Sequence, residues 1–282
     1  MSSTNNKVAL VTGANSGVGF ELTKKLLSEG FDVIAFTRSD FPVNEEIENA
    51  VRANKLRKYR CDMSDFKALR MRLQEIKEKE DKIDVLFNNA GLALEKYKFS
   101  PQDREMHYEV NTVVPYIILR ELEGLVLKGQ LKSVVNVSST TLHDVKKIVP
   151  AELAHPKDPY QKLWGPYATS KLALTLWTSA VAPEFTAKGI EVKSVCPGLN
   201  STPLSGNGAA MPWWLGWTVR WFWMHPREGA GREYNAALKP KLQGKPGVFI
   251  DVGKVTKFKF AEHQDAVLNE VKRIYEEEFL AL

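Results

Sequence analysis

The sequence predicts an α/β fold, a doubly wound parallel β-sheet flanked by helices, formed as one domain over residues 1–282. Short apolar runs alternate along the chain with longer amphipathic runs, which is typical of βαβ units. A Gly-rich turn joins the first apolar run to the first amphipathic one, and no linker or internal repeat interrupts the alternation. Right-handed crossovers then place helices on both faces of the sheet.

The individual elements follow from the same alternation. Strands are expected at residues 8–12, 33–36, 56–61, 85–87, 133–137, 190–195 and, as the last strand, 248–250. Helices are expected at residues 18–28, 43–53, 66–80, 103–127 in a broken form, 167–188 and 263–279. In the third helix Leu69, Leu73 and Ile76 recur at helical spacing on one face. Gly30 is a natural stop for the first helix.

Composition excludes several classes of protein. The 39 basic and 34 acidic residues give a net charge of +5, and the basic residues are scattered rather than clustered as nucleic-acid binding requires. Two cysteines and five histidines without ligand spacing indicate neither a disulfide framework nor a metal site. The polar N-terminus and the lack of a long apolar run predict no signal peptide and no transmembrane segment, and therefore a cytoplasmic protein.

The turn after the first strand is suited to a phosphate group. Its predicted contacts are Gly13, Asn15, Ser16, Gly17, Val18 and Gly19. Glycines allow a positive φ and a close approach of the backbone to a pyrophosphate, and the following helix presents free N–H groups at its positive end. A glycine cluster alone also fits a tight turn without a ligand, but its position after the N-terminal strand favours a dinucleotide.

A tyrosine and a lysine on one predicted helix are candidates for proton transfer. Tyr167 and Lys171 are four positions apart and therefore share a helix face. A tyrosine begins near a pKa of ~10, and a neighbouring ammonium favours its phenolate, which brings the pKa towards neutrality. This pattern is common by chance when it stands alone.

Further motifs occur in a fixed order around this pair. They are Thr12-Gly-x-x-x-Gly-x-Gly, Asn88-Asn-Ala-Gly, Val110-Asn-Thr, Val137-Ser-Ser, Tyr167-x-x-x-Lys and Pro197-Gly. With this order and spacing, over residues 8–202, the chain resembles the short-chain dehydrogenase/reductase family. The resemblance implies a Rossmann-type fold and an oxidoreductase that interconverts a carbonyl and an alcohol with a nicotinamide cofactor.

The resemblance also implies a role for each catalytic residue. Tyr167 would be the general acid and base, and Lys171 would bind the nicotinamide ribose and lower the pKa of the tyrosine. Ser139 would orient the substrate oxygen and stabilise negative charge on it, and Asn111 would hold a water beside the lysine. Further cofactor contacts implied in this way are Asp62, Asn89, Ala90, Gly91, Pro197, Gly198 and Thr202.

The end of the second strand bears on the choice of cofactor. An acidic residue there would bind the 2′-hydroxyl of NAD, whereas an arginine accommodates the 2′-phosphate of NADP. Thr37 ends the strand and Arg38 follows it, which predicts NADP(H). The nearby Asp40 argues in the opposite direction.

Two segments depart from the common pattern of the family. Residues 140–166 form a Pro-rich insert between Ser139 and Tyr167, as in the retinol-dehydrogenase-like and carbonyl-reductase-like branches. Residues 199–226 are expected to be a substrate lid, and five of the seven tryptophans lie within residues 211–224 of it. Core packing, an aromatic lid wall and contact with a membrane surface remain open for these tryptophans.

The sequence therefore predicts an NADPH-dependent oxidoreductase that interconverts an apolar aldehyde or ketone and its alcohol, with a small molecule as its substrate. Two alternatives stay open: a catalytically silent NADPH-binding regulatory protein, and a peripheral membrane dehydrogenase of retinoids or other lipids. The silent protein is disfavoured because no catalytic position is substituted. A monomer and a homodimer both remain open.

Overall fold

Eight strands form one sheet in the computed structural model, which describes residues 6–198, 225–238 and 247–282. The strands are β1 (Val8–Thr12), β2 (Asp32–Thr37), β3 (Leu56–Arg60), β4 (Val85–Asn88), β5 (Ser133–Val137), β6 (Glu191–Cys196), β7 (Phe249–Asp251) and β8 (Lys254–Thr256). Their order is β3-β2-β1-β4-β5-β6-β7-β8, and all neighbours are parallel except β7 and β8. The predicted doubly wound parallel sheet is confirmed.

Seven helical segments connect or flank these strands in the described residues. They are α1 (Gly17–Ser28), α2 (Glu45–Arg52), α3 (Phe66–Lys79), α4 (Met106–Tyr108, π-helical Glu109–Val113, then Val114–Leu127), α5 (Pro166–Ala187), α6 (Pro226–Leu238) and α7 (Gln264–Arg273, then π-helical Ile274–Phe279). Side-chain caps fix two of the starts, because Asn44 accepts from Ile47 N–H before α2 and Asp65 accepts from Lys67 and Ala68 N–H before α3.

The helices cover the sheet in two layers. On one face α1, α2 and α6 pack over a buried cluster that includes Leu22, Ile47 and Ala236. On the other face α3, α4, α5 and α7 share a larger cluster, represented by Leu69 and Trp177. Strands that are buried on both faces read as continuous apolar runs, which is why their positions could be predicted.

The structure corrects two expectations about the elements and shows where the break in the fourth helix lies. The strand at 248–250 is not the last, because β8 follows it as a short antiparallel edge strand. Helix α6, which the sequence analysis did not predict, begins at Pro226, the residue at which the lid was expected to end. The break expected in the helix at 103–127 is the π-helical turn Glu109–Val113.

The insert at 140–166 is packed rather than loose. It contains two 3₁₀ turns, Thr140–Asp144 and Pro150–Glu152, and Pro166 already belongs to α5. Four of its apolar side chains lie in the core cluster beneath α5 and α7, namely Leu142, Val145, Ile148 and Leu153. Burial of these side chains anchors the segment at the N-terminal end of α5.

None of the helices in the described ranges combines the length and the apolar character needed to cross a bilayer. Likewise, no group of three or more metal-ligating side chains comes together within those ranges. The tryptophans of residues 211–224 lie outside the described residues.

Candidate active site

The phosphate turn lies between the carboxyl end of β1 and the start of α1. Gly13 and Gly17 have φ angles of 66° and 53°, in the region that favours glycine. A Cβ at Gly19 would overlap the Gly13 carbonyl oxygen and the Asn89 amide, so α1 packs directly on the turn. Ser16 precedes α1 without a side-chain cap, and the first turn of α1 has no acidic residue. The N–H groups at Gly17, Val18 and Gly19 therefore suit an anion.

The carboxyl end of β4 is tied to this turn. The Asn89 amide donates to the Thr12 carbonyl at 2.8 Å, and the Ala90 N–H donates to the Thr12 hydroxyl at 2.9 Å. A Cβ at Gly91 would lie 3.2 Å from the Lys171 ammonium and 3.4 Å from the Asn111 side-chain oxygen. Residues 89–91 thus border both the phosphate turn and the lysine.

The corner after β2 is also linked to the turn. The Asn15 amide donates to the carbonyls of Ser39 and Asp40, at 3.0 and 3.1 Å, and to the Ser39 hydroxyl. Asn15, predicted as a cofactor contact, therefore uses its side-chain amide to hold the chain that carries Arg38. The Arg38 side chain is exposed.

The predicted proton-transfer residues come together at the ends of β5 and α5. The Ser139 hydroxyl lies beside the Tyr167 phenol and accepts hydrogen bonds from Thr141 N–H and the Thr141 hydroxyl, at 3.3 and 3.0 Å. The Lys171 ammonium, which is almost fully buried, donates to the Val137 carbonyl at 2.7 Å. The preceding serine, Ser138, instead bonds the Lys171 carbonyl and the Thr175 hydroxyl, which leaves Ser139 as the serine that faces the tyrosine.

Burial dominates the titration of this pair. It raises the pKa of Tyr167 to about 12, although the neighbouring Ser139 hydroxyl opposes the rise. It lowers the pKa of Lys171 to about 8, although the charge of Glu233 opposes that shift. The sequence predicted a lowered phenol pKa. The shift is in the other direction here, since the desolvation of the phenol outweighs the favourable contacts.

Asn111 lies within the π-helical turn of α4. Its side-chain oxygen accepts from Leu92 N–H at 2.9 Å, and its amide donates to the Leu92 carbonyl and to the Ser170 hydroxyl at 3.1 and 3.0 Å. Ser170 in turn donates to the Tyr167 carbonyl at 2.7 Å. Single π turns within α-helices occur often at functional sites. This one joins the β4 loop to α5 beside the lysine.

The remaining predicted contacts fall at the rim or outside the described residues. Asp62 follows β3 and accepts hydrogen bonds from Ser64 N–H and its hydroxyl. Pro197 and Gly198 directly follow β6, and the Pro197 carbonyl accepts from Arg232 at 2.7 Å. Thr202 and residues 199–224 of the expected lid lie outside the described residues.

Sequence reasoning missed a buried carboxylate near the lysine. Glu233 of α6 is fully buried, and neither of its carboxylate oxygens has a hydrogen-bond partner among the residues that the structure describes. Burial raises its pKa to about 8, and the Lys171 ammonium opposes that rise. The sequence feature that could have indicated its burial is its position on a helix face whose other buried residues are small, such as Ala230, Ala236 and Ala237. This feature could not be recognised because α6 itself was not predicted.

We expect Glu233→Gln to alter the pH dependence of stability. Between the ordinary pKa of 4.5 and the folded value of about 8, the unfolded chain loses this proton while the folded protein keeps it. The contribution of Glu233 to stability is therefore present at low pH and falls as pH rises through this window, by up to ~1.4 kcal/mol per pH unit. The free energy of unfolding, measured with denaturant at pH 5, 6.5 and 8, should increase for the variant relative to the wild type as pH rises.

The matched control is Glu228→Gln, an exposed position on the same helix. It should follow the wild type at each pH. A constant difference between Glu233→Gln and the wild type over this range would mean that Glu233 is ionised in the folded protein at neutral pH.

An aromatic cluster beside the tyrosine was also not predicted. The ring of His107 is 6.4 Å from that of Tyr167 and 6.5 Å from that of Tyr160, and Tyr97 stacks edge-on against Tyr160 at 5.2 Å. His107 is buried and bonds the Glu105 carboxylate at 2.7 Å. These rings come from the β4–α4 loop, the start of α4 and the insert, so no local pattern marks them.

A separate cavity of about 680 Å³ lies between the insert and the starts of α4 and α5. The start of α4, the start of α5 and the insert line it, with Thr169 and Ser170 on its α5 side. Tyr167, Lys171 and Ser139 are not among its lining residues. The cavity is therefore distinct from the face on which the proton-transfer residues meet.

These features fit a nicotinamide dinucleotide. The turn offers uncapped N–H groups for a pyrophosphate. Within the part of the chain that the structure describes, the Lys171 ammonium makes one hydrogen bond, so two donors of a buried ammonium remain for ribose hydroxyls. The sites for these two groups lie at the carboxyl ends of β1 and β5, the parallel strands on either side of β4, at the edge where open α/β sheets bind ligands.

A match to a known protein family decides which family the chain belongs to. The family described as short chain dehydrogenase matches residues 7–151 and 157–212. The chain belongs to the short-chain dehydrogenase family. As a member, it is an oxidoreductase of alcohol or carbonyl substrates that uses a nicotinamide cofactor. The resemblance drawn from the motifs is thereby confirmed.

Individual members of the family give the same assignment. Human retinol dehydrogenase 11 is 29% identical over 240 residues, which cover 84% of this chain and 74% of that protein. Human polyprenol dehydrogenase is 29% identical over 272 residues, 89% of this chain and 78% of that protein. The 3-ketoacyl-(acyl-carrier-protein) reductase from Brucella melitensis, complexed with NADH, has a TM-score of 0.64 at 23% identity and covers 89% of this chain and 98% of its own, a likeness of fold.

Proposed function

We propose that this short-chain dehydrogenase is an NADPH-dependent reductase of apolar aldehydes or ketones, with Tyr167 as its general acid. The observation that carries the proposal is that Ser139 lies beside the Tyr167 phenol, while the buried Lys171 ammonium, one helical turn further along α5, is bonded to the end of the strand that precedes Ser139. A bound nicotinamide supplies the hydride for the carbonyl carbon.

The residues of the chain supply binding, orientation and the proton. Ser139 donates a hydrogen bond to the carbonyl oxygen and stabilises the negative charge that develops on it. Tyr167 gives its phenolic proton to the same oxygen. Lys171 donates to the nicotinamide ribose, and its charge favours the phenolate that remains. Asn111 holds the loop at Leu92 and a water beside the lysine, from which the proton of Tyr167 is replaced.

NADP(H) is the cofactor that best suits the corner after β2. Arg38 extends into solvent there, and a guanidinium matches a phosphate in charge and geometry. Asp40, which argued for NAD, has its carboxylate 3.5 Å from the Arg60 guanidinium. Asp40 is thus engaged with a guanidinium instead of being available to a 2′-hydroxyl of NAD.

Arg38→Ser tests the choice of cofactor. A charge-assisted hydrogen bond to phosphate is worth about 1.5–3 kcal/mol, so the KM for NADPH should rise about 10- to 100-fold. The KM for NADH should stay within about twofold, because NADH has no phosphate at this corner. Steady-state cofactor oxidation with a fixed aldehyde measures both constants.

Arg52→Ser, on the exposed surface of α2, removes the same charge away from the corner and serves as the control. If the wild type has the lower KM for NADH, or if Arg38→Ser weakens both cofactors equally, the preference for NADP(H) is refuted.

An apolar substrate is favoured by the aromatic cluster beside the phenol. His107 and Tyr160 form a wall next to Tyr167, and Tyr97 backs it. Such walls are typical of pockets for apolar ligands. Two relatives of the chain are named as dehydrogenases of retinol and of polyprenol, which are apolar alcohols. A panel of aldehydes, from acetaldehyde to long-chain and polyunsaturated ones, tests the preference for an apolar substrate. We expect kcat/KM to rise with the length of the apolar chain of the aldehyde.

A further inference from the structure

The corner after β2 contains a second guanidinium besides Arg38. In the register of β2 and β3, Arg60 lies directly beside Thr37, the last residue of β2. The chain of Arg38, Ser39 and Asp40 begins at that point. Two positive side chains thus belong to the same corner of the sheet, although they are 22 positions apart in sequence.

The guanidinium of Arg60 is held at this corner by two contacts. Its Nε donates to the Arg38 carbonyl at 3.1 Å, and its Nη1 lies 3.5 Å from an oxygen of the Asp40 carboxylate. The Nη2 group makes no hydrogen bond in the described ranges of the chain. Asn15 fixes the same loop from the other side, through the carbonyls of Ser39 and Asp40. The corner is therefore joined both to β3 and to the phosphate turn.

The ion pair with Asp40 is weak enough to be exchanged. The Arg60 and Asp40 side chains are 67% and 79% exposed, and pairs of this kind contribute about 0–1 kcal/mol. A phosphate dianion offers a guanidinium two parallel hydrogen bonds and more charge than one carboxylate does. A phosphate at this corner would therefore compete successfully with Asp40 for Arg60.

We propose that Arg60 is a second ligand of the cofactor's 2′-phosphate, and that Asp40 occupies its guanidinium until the phosphate takes its place. This inference rests on the proposed preference for NADP(H). Arg38 supplies one positive charge and Arg60 the other, so the phosphate is neutralised from two adjacent strand ends. Asp40 keeps the Arg60 guanidinium at the corner. It also weakens the binding of phosphate by the free energy of the Arg60–Asp40 ion pair, which has to be broken.

The experiment is a calorimetric titration of the full chain with adenosine 2′,5′-bisphosphate and with 5′-AMP. These ligands differ in the 2′-phosphate alone, and neither depends on turnover or on residues near Tyr167. The variants are Arg60→Gln, Asp40→Asn and Lys58→Gln. Lys58 is an exposed lysine two positions earlier on β3, so its variant controls for the loss of one charge.

The wild type should bind the bisphosphate at least about tenfold more tightly than AMP. Arg60→Gln should weaken the bisphosphate about tenfold, which corresponds to 1.4 kcal/mol, and leave AMP within about twofold. Lys58→Gln should match the wild type, and Asp40→Asn should bind the bisphosphate a few-fold more tightly, because the competing carboxylate is gone.

Each other outcome identifies what fails. A wild type that binds both ligands equally would refute the preference for NADP(H) itself. A wild type that prefers the bisphosphate, with Arg60→Gln equal to Lys58→Gln or weakening both ligands alike, would overturn the role of Arg60 and leave that of Arg38 intact. Weaker bisphosphate binding by Asp40→Asn would overturn the role given to Asp40.

Discussion

Tyr167→Phe should reduce kcat/KM for carbonyl reduction about 10³- to 10⁴-fold, the upper part of the range that a positioned acid contributes. The variant keeps the ring that packs against His107 and loses the hydroxyl that lies beside Ser139. The dissociation constant for NADPH, measured by fluorescence titration, should stay within about twofold of the wild-type value. The phenol supplies the proton and contributes little to the affinity for the dinucleotide. The measurement is absorbance at the reduced-cofactor band over a series of aldehyde concentrations that extends below KM.

Tyr160→Phe is the matched control. It removes a phenolic hydroxyl from the ring next to His107, where that hydroxyl donates to the Leu94 carbonyl. If kcat/KM of Tyr160→Phe falls by more than about tenfold, removal of any hydroxyl from the aromatic cluster disturbs the site. A Tyr167→Phe enzyme with wild-type activity would remove Tyr167 from the chemistry and favour a silent, cofactor-binding role.

Lys171→Gln should lower kcat/KM about 10²- to 10³-fold, as expected when a preorganised donor at a charged site is lost. It should also raise the KM for NADPH, since the ammonium is the group with donors to spare for the ribose. Burial lowers the pKa of Lys171 to about 8, so the wild-type reduction rate should decline as pH rises through 8 and the ammonium is lost. In Lys171→Gln that alkaline decline should be absent.

A pH series of kcat/KM from 6 to 9.5 measures this difference. Glu233→Gln distinguishes the two groups that titrate in the same range, because it removes the carboxylate and leaves the lysine. Its rate should still decline with rising pH, from a somewhat lower midpoint, since the charge of Glu233 raises the pKa of Lys171. A decline that persists unchanged in Lys171→Gln would contradict the assignment.

Local patterns made most of the fold predictable. Strands β1, β4 and β5 are buried along their length and appear as apolar runs, and α3 shows a single apolar face. The short edge strand β8 has two exposed residues of three and no such run. Helix α6 buries small residues against α1 instead of an apolar stripe, so its periodicity is weak.

The site, like the fold, has some residues that a local sequence pattern predicts and others that it does not. Tyr167 and Lys171 are separated by one helical turn, so their shared face could be predicted from the sequence alone. Glu233 lies 62 positions after Lys171, and Arg60 lies 22 positions after Arg38. Both meet their partners only because parallel strands bring distant segments to one edge of the sheet. The pKa of Tyr167 depended on burial, which a local motif does not encode.

The most direct test of the proposed reaction is transfer of deuterium to a long-chain aldehyde from NADPH that carries deuterium at both C4 positions, read by mass spectrometry of the alcohol. We expect one deuterium at the carbinol carbon with the wild type, and a rate about 10³-fold lower with Tyr167→Phe. NADPH that binds tightly but transfers no deuterium to any aldehyde or ketone tested would contradict the proposed reaction.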